Sequence, residues 1–197
     1  MRQGVCDYDV GMFRIWIFYL ACFLSLAGCQ VSYPTRNPVG DTFPTVAGQT
    51  LAGEVITLPD ALAGRPTVLL VAYSGRAKDD VLWWMTFAKM YLGDARVVSV
   101  PAVTSWWSWL WRDRLEDAIR NALPESYWPG VVTLYDDAPE VAGFTGNRHG
   151  STARVLLLDE QGRVVFFNAD GFNQHSSRWL KEAFAQRWGD QRSVRSP

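Results

Sequence analysis

Few side chains in this 197-residue chain are of types that carry chemistry, and their spacing limits what they could do. The three cysteines, Cys6, Cys22 and Cys29, all fall in the first thirty residues, so no thiol exists from Gln30 to Pro197. Thiol exchange, peroxide reduction and thiolate metal ligation each need a thiolate. The two histidines, His149 and His175, could join Asp136, Asp137 or Glu140 around a metal, yet they lack helical or hairpin ligand spacing. They read as surface loop residues, and no metal is expected. Ser74 and Lys78, followed by Asp79 and Asp80, contain the parts of a Ser-Lys hydrolase dyad. A serine at a loop apex and a lysine at a helix start are also ordinary capping and solvation chemistry. Gly143 to Ser151, GFTGNRHGS, has glycines and an arginine suited to an anion, without the strand, Gly-rich turn and helix that a phosphate cradle requires. It reads as the loop leading into a hairpin, and no catalytic residue is assigned.

The stretch that must position Ser74 and Lys78 is Gly64 to Asp80, GRPTVLLVAYSGRAKDD. Thr67 to Tyr73 has the near-continuous β-branched and aliphatic content of a strand buried on both faces. The small polar loop after it opens a helix that Asp79 and Asp80 are placed to cap. The helix carries its apolar positions Val81, Leu82, Trp84, Met85, Ala88, Tyr91 and Leu92 at intervals of three and four, and Gly93 stops it. Upstream, Gly53 turns a hairpin, Val55, Ile56 and Leu58 supply strand residues, and a short helical turn runs from Pro59 to Gly64. Downstream come strands at Ala95 to Val100 and Val131 to Tyr135, then a short helix from Asp137 to Phe144. A hairpin follows, Ala153 to Asp159 with Arg163 to Ala169, turned at Glu160 to Gly162. The last helix runs from about Ser177 to Trp188 on Leu180, Ala183, Phe184 and Arg187, and ends at Gly189.

The run from Val39 to Tyr73, VGDTFPTVAGQTLAGEVITLPDALAGRPTVLLVAY, resembles the opening of the peroxiredoxin and thiol-disulfide oxidoreductase branch of the thioredoxin superfamily. LLLDEQGRVVFF, Leu156 to Phe167, resembles that superfamily's closing hairpin. The resemblance covers roughly Val39 to Trp188 and implies a thioredoxin-like three-layer α/β sandwich, a mixed central sheet flanked by helices. It places the redox CxxC window on Tyr73, Ser74, Gly75, Arg76, Ala77 and Lys78, and the superfamily's cis-proline on Ala153. Both signatures are missing here, so the resemblance implies the scaffold without its thiol chemistry. A cysteine-free core with a helical insertion is also similar to the mitochondrial ATP-synthase assembly factor family, although VFFNADG departs from that family's tryptophan-containing ending. That likeness implies a membrane-protein client.

The insertion is Ser105 to Leu123, SWWSWLWRDRLEDAIRNAL. On a helix, Trp107, Leu110, Trp111, Leu115, Ala118, Ile119 and Ala122 form an apolar stripe, with Arg112, Asp113, Glu116, Asp117 and Arg120 opposite. Trp106 and Trp109 fall off the stripe, and Tyr127 and Trp128 close the segment. Three readings stand: core packing of the stripe, a protein-binding surface built on Trp106, Trp107, Trp109, Trp111 and Trp128, or contact with a membrane.

The N-terminus sets location. Ile15 to Ala27, IWIFYLACFLSLA, is too short to span a bilayer, which takes ~20 residues, but suits a signal-peptide core. The ending Leu26-Ala27-Gly28-Cys29 resembles a bacterial lipobox. The expectation is a signal peptide over 1–28, with Met1 or Met12 as start, and a covalent diacylglyceryl lipid (palmitate among its acyl chains) on Cys29. Gln30 points to the outer membrane, periplasmic side. Cleavage there would discard Cys6 and Cys22. Residues 29–41, with two prolines and a glycine after Val31, read as a tether, 42–190 as the domain and 191–197 as a disordered tail. A net charge of −1, with arginines scattered among acids, excludes a nucleic-acid footprint. No cofactor beyond the lipid is expected. The function implied is a redox-inactive, lipid-anchored binding or assembly module. The alternatives are a thiol-independent enzyme using a cleft of Ser74, Arg76, Lys78 and Arg154, or a purely structural envelope lipoprotein.

Overall fold

The structure is a computed structural model that describes residues 32–104 and 108–189, with only the backbone of 108–111. Strands β1 (Val46–Thr50) and β2 (Val55–Leu58) form the expected hairpin. Gly53 turns it at φ 91°, a conformation that costs glycine nothing sterically. Strand β3 (Thr67–Ala72) is the buried apolar run. It pairs parallel with β4 (Arg96–Pro101) on one side and antiparallel with β6 (Arg154–Leu158) on the other, and β7 (Val164–Asn168) completes the order β4-β3-β6-β7. A smaller sheet has the order β2-β1-β5. Strand β5 (Val132–Thr133) is shorter than the expected Val131 to Tyr135, because its neighbours Val131 and Leu134 make only isolated parallel bridges, to Ser99 and Ala102. Those bridges tie the two sheets edge to edge.

The period-two alternation of β3 and β6 divides the interior. Leu69, Val71, Leu156 and Leu158 face one core, with Phe43, Leu58, Leu134 and Val141. Val68, Leu70, Val155 and Leu157 face the other, with Trp84, Ala88, Leu180 and Phe184. Each fully buried aliphatic side chain contributes about 1.5–3 kcal/mol, so both faces of β3 are tied to their layers. Helices α1 (Lys78–Tyr91) and α4 (Gln174–Trp188) cover the second core, while α3 (Ala138–Thr145) and the β1–β2 hairpin cover the first. Helix α2 (Ser108–Ala122) is the insertion between β4 and β5.

Three expectations change. Helix α4 begins before Ser177, because Asn173 caps it in a reciprocal capping box with Ser176. Arg187 is not part of its buried stripe: it pairs with Asp159 at 2.9 Å, and Trp188 takes the interior place with its indole N–H donated to Glu160 at 2.6 Å. The segment read as a free tether is folded onto the domain from Tyr33 onward. Tyr33 N–H donates to Asn147 Oδ1 at 2.8 Å and Asn147 N–H to Tyr33 O at 3.1 Å. The arm crosses Gly146 so closely that a Cβ there would lie 2.5 Å from Pro34 O. Gly40 N–H then joins Val164 O at 2.8 Å.

Candidate functional site

The loop between β3 and α1 holds the six positions singled out by the sequence. Tyr73 is half-buried, with its hydroxyl 2.7 Å from Thr145 Oγ1. Burial raises its pKa, against the smaller opposing effects of that hydrogen bond and of Arg154. Ser74 Oγ donates to Gly150 O at 2.7 Å and accepts from Arg76 N–H at 3.2 Å, capping a single 3-10 turn, Gly75–Ala77. Gly75 and Arg76 are exposed. Ala77 is fully buried at the N-cap of α1. Within the window, Ser74 and Ala77 have the three-residue separation of a CxxC pair, one at the surface and one sealed beneath the helix. Lys78 is exposed at the start of α1.

Asp80 does not cap α1, which begins at an uncapped Ala77. Its carboxylate reaches across the fold instead. Oδ2 accepts from Ala153 N–H at 2.8 Å, and Oδ1 from Phe172 N–H at 2.6 Å. One side chain thus ties the first turn of α1 to the entry of β6 and the lead-in to α4. Ala153, the position expected to carry proline, is fully buried, and its N–H serves this bond; a proline has no N–H to offer. No local signal announces the arrangement, because Asp79 and Asp80 look alike as caps while both partners lie far along the chain.

Arg154 does not join the expected cleft. It is fully buried, and its guanidinium organises the preceding loop. Nε donates to Gly146 O at 3.1 Å, Nη1 to Thr152 O at 3.2 Å and Nη2 to His149 O at 3.3 Å. Burial lowers its pKa. Five donors in a fixed fork suit a bed of carbonyls. Residues 143–145, expected to open this loop, close α3 instead; residues 146–152 form the loop gathered on Arg154, and the constellation of Ser74, Arg76, Lys78 and Arg154 is not assembled at one surface.

What the structure does form beside the window is a half-open apolar groove of about 530 Å³ between α1 and α2. Val81, Leu82 and Met85 line one wall, and Leu115 and Ile119 the other, with Ser74 and Lys78 at the loop end. Of the three readings open for the α2 stripe, core packing is not met by its described residues. The stripe of Leu115, Ala118, Ile119 and Ala122 is not buried in the core: Ala118 and Ala122 are exposed, Leu115 and Ile119 half-buried, and all four look into the groove. The polar edge packs inward instead. Glu116 is 8% exposed and accepts from Tyr135 Oη at 3.2 Å and from Arg120 Nη2 at 3.0 Å, while Arg120 Nε reaches Leu51 O at 3.2 Å. Burial, and after it the Glu116 charge, raises the Tyr135 pKa. Leu82 and Tyr91, expected on the buried stripe of α1, are 39% and 45% exposed; Leu82 belongs to the groove.

Trp128 is half-buried, with its indole N–H on Leu123 O at 3.2 Å and the Arg120 guanidinium 6.0 Å from its ring centre. It fastens the exit of α2. Trp106 and Trp107 lie outside the described residues, as do the side chains of Trp109 and Trp111, the proposed lipid site Cys29 and the 191–197 tail. His149 is exposed; His175, expected in a loop, lies in the first turn of α4 with its ring centre 3.9 Å from that of Trp179, the two planes tilted by 54°. Among the described residues no cluster of His, Cys, Asp or Glu could hold a metal, and no helix is long and apolar enough to cross a membrane.

The mixed sheet with helices on both faces defines a thioredoxin-like fold, and solved structures bear this out. The thioredoxin domain of a Bacteroides vulgatus thiol-disulfide oxidoreductase superposes with a TM-score of 0.50 at 15% identity, over 75% of this chain and 98% of its own. A thiol peroxidase from Chromobacterium violaceum gives 0.52 at 10% identity, over 79% and 91%. An uncharacterized conserved protein from Geobacillus kaustophilus gives 0.51 at 17%, over 76% and 83%. At these identities the likeness is one of fold alone. No family model and no curated protein matches the chain.

Proposed function

We propose that this chain is a lipid-anchored, redox-inactive thioredoxin-like module that works by binding, holding an apolar segment of a membrane-derived client in the α1–α2 groove as an escort or assembly factor. The observation that carries the reading is the reversed insertion helix. Its apolar stripe faces Val81, Leu82 and Met85 across open space instead of entering the core. Concave, mostly apolar grooves of this kind are the usual form of binding sites. The groove abuts the Ser74–Ala77 window, and the absence of cysteine from Gln30 to Pro197 leaves that window no thiol to react. The lipobox-like Leu26-Ala27-Gly28-Cys29 supports residence at a membrane.

The test is site-specific photocrosslinking in native membranes, with a photoreactive residue at Leu82 in the groove or at Arg178 on α4. Capture is expected from Leu82 and not from Arg178, and Ile119→Asp should remove it. Equal capture at both sites, or capture indifferent to Ile119→Asp, would overturn the reading.

A further inference from the structure

Resting on that reading, we propose that the groove is a site for a single-chain anionic amphiphile, with an acyl chain lying between α1 and α2 and its charged head at Lys78. Size is the first argument. The cavity of about 530 Å³ falls within the roughly 300–1,000 Å³ of small-molecule sites.

The lining is the second argument. Leu82, Met85, Leu115 and Ile119 offer no hydrogen-bonding partners. An acyl chain has no N–H or C=O groups to satisfy there. The polar groups at the loop end are already engaged, since Tyr73 Oη pairs with Thr145 and Ser74 Oγ with Gly150 O.

Charge is the third. Lys78 is the sole charged residue among the groove's described lining residues. It has no salt bridge among them. Asp79 and Asp80 share its helical turn, but neither lines the groove, and both oxygens of Asp80 are taken by backbone N–H groups. A ligand apolar along its length and anionic at one end matches this distribution.

The test uses the full chain with cis-parinarate as a fluorescent probe, displaced by palmitate, lysophosphatidylglycerol or hexadecanol. Displacement by palmitate or lysophosphatidylglycerol is expected, and whichever is stronger identifies a free fatty acid or a lysolipid as the source. Lys78→Gln should weaken the anionic ligands about three- to fivefold, the scale of an exposed charge pair, and leave hexadecanol unchanged. Ala118→Phe, a substitution on the exposed side of α2 that fills the groove, should abolish displacement by all three with thermal unfolding unaltered. Failure of the probe or of both anionic lipids to bind would overturn the proposal, as would a Lys78→Gln effect equal for hexadecanol and palmitate. If lipids fail while Leu82 still crosslinks a protein in membranes, the amphiphile site falls and the binding-module reading stands; if both fail, both fall.

Discussion

The two helices that flank the groove, α1 and α2, are fastened to the body on opposite principles. At the junction of α1, β6 and α4, buried polar groups are paired across the fold. Asp80 receives two backbone N–H groups, and Arg154 binds three carbonyls. At the insertion helix, a short polar seam of Glu116, Tyr135 and Arg120 carries the attachment, and the apolar stripe looks into the groove. Satisfied buried polar networks fix a unique geometry, so the first junction makes a rigid wall. The second gives a wall whose apolar area is kept available.

The contrast can be broken most strongly at Asp80. Asp80→Ala would leave the Ala153 and Phe172 N–H groups without their acceptor, at about 1–3 kcal/mol each. A loss of about 3 kcal/mol in urea unfolding is expected, and a loss below about 1 kcal/mol would show that the junction is not held by this carboxylate.

A second test uses alkaline pH. The folded pKa of Tyr73 is raised above its ordinary value of 10, chiefly by burial. The native state therefore keeps a proton that the unfolded chain releases, and stability is full below pH 10 and falls as pH rises beyond it. The share of the slope due to Tyr73 should approach about 1.4 kcal/mol per pH unit. Tyr73→Phe should flatten it in pH-resolved denaturation, leaving the part due to Tyr135.

The smallest effect belongs to the seam. Glu116→Ala should cost about 1 kcal/mol, because it removes one partly exposed ion pair and one hydroxyl partner. Circular dichroism should show the helix of the insertion retained. A loss as large as that from Asp80→Ala would erase the distinction between the two walls.

Much of the fold was legible because it rests on local signals. The two-sided apolar run of β3, the turn at Gly53 and the hairpin turn before Arg163 stand where the pattern put them. The expected start of α4, at Ser177, comes late, although Asn173 with Ser176 three residues on carries a cap signal. The site was less legible. Periodicity separated the faces of α2 correctly, yet it could not say which face the body would receive, since Glu116 finds Tyr135 and Arg120 finds Leu51 only in three dimensions. The roles of Asp80 and Arg154 were hidden for the same reason. Their partners are backbone groups, which every residue has.

The arm that crosses Gly146 bears on how the domain would carry load. A pull applied at Ser32 meets first the paired bonds between Tyr33 and Asn147, and only afterwards the Gly40–Val164 contact on β7. Asn147 follows Gly146, whose carbonyl rests on the Arg154 guanidinium at the mouth of β6. Tension would therefore enter the molecule at the loop beside the Ser74 window, and a steady tug on the N-terminal side would be felt at the loop end of the groove before it reached either core.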